Sequence, residues 1–78
     1  MILAEKMIDE SNKAKENKQD YILGVVFQGG ENRIIRVVSI GKDFVDANVA
    51  LLDGKTFPAT VETIPLSSIS RYRRIINA

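Results

Sequence analysis

YILGVVFQGGENRIIRVVSIGKDFVDANVALLDGKTFPATVETIPLSSISRYRRII, residues 21–76, is a series of β-rich runs separated by turn residues. Tyr21–Phe27 is closed by Gln28-Gly29-Gly30-Glu31-Asn32, Arg33–Ile40 by Gly41-Lys42-Asp43 and Phe44–Leu52 by Asp53-Gly54-Lys55. Thr56–Ile64 is closed by Pro65-Leu66-Ser67-Ser68-Ile69, and Ser70–Ile76 ends the ladder. Runs of this length between glycine turns predict a small antiparallel sheet or barrel. Most of the chain is then scaffold, with little room for a catalytic apparatus.

Alternation assigns the faces. In 44–52, Val45, Ala47, Val49 and Leu51 share one side; in 56–64, Phe57, Ala59 and Val61 do. Pro58 has no N–H for a ladder, which makes the fourth strand an edge or bulges it there. The run 21–27 is apolar at nearly every position and reads as a central strand, with Gly24 marking a bend or bulge. In 33–40 both registers are apolar, Ile35 and Val37 on one and Ile34, Val38 and Ile40 on the other. The second set is covered by the helix, by barrel curvature or by a subunit. Asp53-Gly54 is a hairpin turn signal, and Leu66 and Ile69 share one side of a single helical turn. The expected core is Leu23, Val25, Ile35, Val37, Val45, Ala47, Val49, Leu51, Phe57, Val61, Leu66 and Ile69.

Ahead of the strands, residues 2–18 lack Gly, Pro, Val and Thr and are rich in helix formers. Leu3, Met7 and Ala14 fall on one face, but DESNKAKENKQD, residues 9–20, offers no apolar group larger than alanine. The second half of the helix is therefore expected to be solvated or to fray. A chain of 78 residues is one domain. It divides into a helix over 1–18 and a small barrel over 19–78. A helix, a five-strand meander and one 3₁₀ turn before the last strand are the plan of SH3-like and Sm-like barrels. The fold class is thus mainly β, an N-terminal α-helix followed by a five-stranded SH3-like or Sm-like antiparallel barrel.

Gly41-Lys42-Asp43-Phe44-Val45-Asp46-Ala47 resembles Gly-x-Trp-Tyr-Leu-x-Ala, the segment that names the WYL domains, Sm-like barrels of bacterial transcription regulators. Arg33–Ile40 resembles that family's preceding basic, β-branched strand. Lys55-Thr56-Phe57 and Leu66-Ser67-Ser68-Ile69 resemble its basic-Thr-Phe and Leu-Asp-Arg-Ile elements. The resemblance implies the barrel. Ligand sensing and nucleic-acid binding transfer poorly with it, because Asp43 stands at the Trp position, Ser68 at the pocket arginine, and the family's usual DNA-binding helix-turn-helix is absent.

Composition narrows the chemistry. The sequence holds no Cys and no His, which removes disulfides, the commonest metal ligand and the commonest general base. No serine lies in a nucleophile-elbow setting, and Gly29-Gly30 lacks the rest of a phosphate loop. No enzymatic activity, metal or cofactor is expected. No apolar run is long enough for a membrane span, and the first residues lack a secretory pattern. The expected compartment is the cytoplasm, with no membrane partner.

Net charge is +1, and the surplus sits at Arg71, Arg73 and Arg74. Arg71-Tyr72-Arg73-Arg74, with Arg33 and Arg36 in support, is the candidate nucleic-acid site of a non-catalytic, regulatory binding module. Guanidinium forks phosphate, and a tyrosine ring stacks on a base. On a strand, however, Arg71 and Arg73 face one way and Tyr72 and Arg74 the other. The alternative is a protein-interaction or assembly module. In that reading the chain forms a homo-oligomer through its edge strands or docks on a larger partner, and the arginines blunt an edge.

Overall fold

The computed structural model describes residues 2–76. Met1, Asn77 and Ala78, included in the expected helix and barrel, lie outside the described residues. The elements are helix α1 (Ile2–Glu16) and strands β1 (Ile22–Phe27), β2 (Asn32–Ile40), β3 (Phe44–Val49) and β4 (Glu62–Pro65). A one-turn 3₁₀ helix (Leu66–Ser68) and β5 (Ile69–Ile75) complete the order. Every ladder is antiparallel, and the strands lie in the order β4-β3-β2-β1-β5.

The helix ends where Lys18 turns left-handed at φ 55°. Gln19 N–H then bonds Ala14 O at 2.9 Å and Lys18 N–H bonds Lys15 O at 3.0 Å. This pairing closes a Schellman-type end. Contrary to the expectation of a solvated second half, the buried stripe runs through it: Ala4, Met7, Ser11 and Ala14 are all buried. The residues follow the helical period, but they are mostly small. They bring the helix backbone close to the sheet instead of filling a gap with bulk, so hydropathy alone does not reveal the stripe.

The core lies between this stripe and one face of the sheet. Met7, Leu23, Val25, Ile35 and Val45 are its largest fully buried side chains. Each contributes about 1.5–3 kcal/mol by leaving water. Ala47, Ile64, Leu66, Ile69 and Tyr21 join the same cluster. Two bulges fix which residues reach it. On β2 the register shifts between Val37 and Ser39, so Val38 is the extra residue. Val37 and Ile40, of opposite parity, therefore both pack on the core. This accounts for Ile40 of the second apolar register; Val38 is exposed and Ile34 lies on the other face. The second shift falls opposite Ser70, between Val26 and Phe27, not at Gly24 as expected. It lets Ile69 and Tyr72 share the core side.

Residues 56–61, expected to lie in the fourth strand, leave the ladder. Pro58 has no N–H to give. Thr60 O instead accepts from the side-chain amide of buried Asn48 at 3.0 Å. Asn48 Oδ1 accepts from Arg36 Nε at 3.3 Å, and the Arg36 guanidinium lies over the Phe57 ring at 5.1 Å. The third strand likewise stops at Val49. Leu51, Phe57 and Val61 are therefore not core residues; Leu51 and Val61 are exposed, and Phe57 packs under Arg36.

No ladder joins β4 to β5 among the described residues, so the sheet is not a closed barrel. It is nonetheless strongly curled. Only Leu66–Ser68 separate β4 from β5, a connection spanning at most about 14 Å. The outer edges of a flat five-stranded sheet stand about 19 Å apart. The 3₁₀ turn also bonds to both sides: Leu66 N–H to Asp43 O at 2.8 Å, and Gln28 N–H to Ser68 O at 2.8 Å.

Candidate binding groove

Strand alternation divides Arg71-Tyr72-Arg73-Arg74 between the two sides of the sheet. Tyr72 faces the helix, where its hydroxyl donates to Glu10 Oε1 at 2.9 Å. The Tyr21 hydroxyl donates to the same oxygen at 2.6 Å. Lys6 Nζ stands 5.7 Å from the centre of the Tyr72 ring and the Arg74 guanidinium 5.6 Å from that of Tyr21. Arg74 Nε is buried without a partner. This half of the tetrad is a clasp between α1, β1 and β5. Burial, then the Glu10 carboxylate, pushes the Tyr72 phenol up to about 12 and raises that of Tyr21 further. The Tyr72 ring is thus committed to the fold and is not offered to a base.

Arg71 and Arg73 project from the opposite face, where β5 pairs with Val26 and Gly24 of β1. Neither makes an ion pair among the described residues. They form one wall of a groove of about 710 Å³. Gly24 and Ile34 lie in its floor, and Leu51 and Leu52 form the facing wall. A Cβ on Gly24 would lie 3.4 Å from Arg73 Nε and 3.6 Å from its Cγ. The arginine stem therefore lies across the glycine, whose missing side chain makes room for it.

The leucine wall is held by a hydrogen-bonded turn. Asp53 Oδ1 accepts from the backbone N–H groups of Lys55 and Thr56 at 2.8 Å each, and the Thr56 hydroxyl donates to Oδ2. These bonds hold the Asp53 carboxyl down at about 2. Gly54 supplies the left-handed residue at φ 68°, and Leu51 N–H closes the turn on Thr56 O at 2.9 Å. The turn lifts its apolar pair into solvent: Leu51 is 56% exposed and Leu52 102%. The Asp53 carboxylate is thus used by the turn's own backbone, and the two leucines stand exposed beside it.

The supporting arginines are occupied. Arg36 is held by Asn48 and Phe57. Arg33 lies at the groove's end with its Nε 3.2 Å from Glu31. Of the six sequence candidates, the groove brings together Arg71 and Arg73, with Arg33 at its margin. Sequence reasoning missed Glu10, the role of Gly24 and the Leu51-Leu52 pair. An apolar pair directly before Asp-Gly was the available signal for the last.

Among the described residues no group of three or more acids, His or Cys is placed to hold a metal, and no helix is long and apolar enough to cross a membrane. Comparison with protein-family models, curated proteins and solved structures finds no match to this chain.

Proposed function

We infer that the protein is a non-catalytic binding module, and that its groove holds an extended segment of a partner protein. The observation that carries this reading is the pairing of two unpartnered guanidiniums with two exposed leucines across one groove. Its volume is within the roughly 300–1,000 Å³ of ligand sites, which suits a few residues of chain. The absence of His and Cys from the sequence supports a role without chemistry. The SH3-like or Sm-like barrel belongs to the same proposal. It is supported by the helix, the five-strand meander, the 3₁₀ turn and the curl, and the WYL resemblance adds only that scaffold.

Nucleic-acid binding is the second reading, favoured by the free Arg71 and Arg73. It lacks a stacking ring on that face, since Tyr72 is turned to Glu10. Two measurements separate the readings. Selection from a random peptide library should return binders that lose affinity on Arg71→Ala/Arg73→Ala and on Gly24→Val, which fills the floor. Labelled single- and double-stranded oligonucleotides are titrated at ~50 and ~200 mM salt, where phosphate contacts are strongly salt-dependent. Oligonucleotide binding with a log–log slope near about −1.4, two single-strand phosphate contacts, and no groove-dependent peptide would put nucleic acid first.

A further inference from the structure

The ligand's own pattern follows from the groove's two walls, given the reading that the groove holds a protein segment. Arg71 and Arg73 are two residues apart on β5, so they repeat at about 6.6–6.8 Å. An extended polypeptide repeats its same-side groups at that interval, because successive side chains alternate. The facing wall is apolar, and its large side chains are Leu51 and Leu52. A ligand in contact with both walls must itself be two-sided.

We propose that the groove binds an extended peptide in which acidic and apolar residues alternate. Acids at positions i and i+2 meet Arg71 and Arg73, and the residues between and beside them turn to Leu51 and Leu52. Charge complementarity favours this occupant, since no acid of this chain pairs with either arginine among the described residues. A single-headed anionic amphiphile would use one guanidinium. A nucleic-acid strand would leave the leucines without a partner. A second copy of this chain offers no free acidic strand: β3, which carries Asp46, is paired on both sides, and β4 holds one acid, Glu62.

The test uses the full chain and fluorescence anisotropy with three labelled peptides of about eight residues. One alternates Asp and Leu, one has the same residues in two blocks, and one alternates Lys and Leu. The alternating acidic peptide should bind at least about tenfold (~1.4 kcal/mol) more tightly than the block peptide. The Lys peptide should not bind. Arg71→Ala/Arg73→Ala and Leu51→Ser/Leu52→Ser should each cost about tenfold or more while the variants keep a cooperative thermal transition. Equal binding of the block peptide, with sensitivity to both variants, overturns the alternation and leaves the protein-binding groove standing. Binding that ignores both variants places the peptide elsewhere and overturns both. If none of the three peptides binds while library-selected peptides do, only the alternation falls.

Discussion

The two faces of β5 put neighbouring residues to opposite uses. Tyr72 and Arg74 turn toward α1, where the Tyr72 hydroxyl is drawn into the Glu10 clasp and Arg74 lies over the Tyr21 ring with its Nε buried. Arg71 and Arg73 turn away, pair with nothing charged, and flank a groove floored by glycine. The alternation that builds a sheet thus sorts one basic run into a structural half and a free half. A cluster in sequence is not a cluster in space when its spacing is one residue on a strand. Function on this molecule is read best from what the fold leaves unpaired.

The comparison breaks most visibly on the helix side. Ile35 is fully buried between β1 and β3. Ile35→Asp should abolish the cooperative thermal transition, because an uncompensated buried charge costs several kcal/mol. Circular dichroism checks it. Val49→Asp, at a half-buried position, should cost less. If Ile35→Asp melts like the parent, the helix-side core assigned here is wrong.

A smaller loss is expected at the clasp. Glu10→Ala leaves the Tyr21 and Tyr72 hydroxyls without their acceptor, which should cost about 1–3 kcal/mol. The same clasp predicts alkaline sensitivity. Tyr72 titrates near its ordinary 10.0 when unfolded and at about 12 when folded. Above the first value the unfolded chain holds fewer protons than the folded one, so stability falls as pH rises. It is fully present below about 10 and is lost through about 12. Denaturant melts across that window should show the decline, and Tyr21→Phe/Tyr72→Phe should flatten it. A decline unchanged in that double variant would assign the alkaline limb to other groups.

Legibility in the sequence followed the range of the interactions. The turns at Gly41, Asp53-Gly54 and Pro65 were readable because their chemistry is local, and so was the division of the arginine run, which needs only strand alternation. The bulges at Val38 and Ser70 were not, because they are set by the partner strands. Helix docking through Ala4 and Ser11 was hidden by residue size, although Ala14 falls on the apolar face read from the sequence. The clasp joins Glu10 to Tyr72, 62 positions away, and no window along the chain contains both. Leu51 was readable as apolar but was assigned to the core, since alternation cannot tell that the ladder stops at Val49.

The smallest effect is the sharpest test of the contrast between faces. Arg71→Ala/Arg73→Ala and Leu51→Ser/Leu52→Ser alter side chains that the fold does not use for ion pairing or core packing. Each pair should therefore change stability by no more than about 0.5 kcal/mol per site, as exposed positions do. Arg73 is the more sensitive of the two arginines, because its stem covers Gly24 and carries some packing. Chemical denaturation gives the answer directly: an unchanged midpoint and slope mean an unchanged fold. Near-neutral stability would mean that the fold does not depend on the groove's two walls. A loss as large as that of Glu10→Ala would mean that the outer face is scaffold too, and the distinction between the two sides of β5 would disappear.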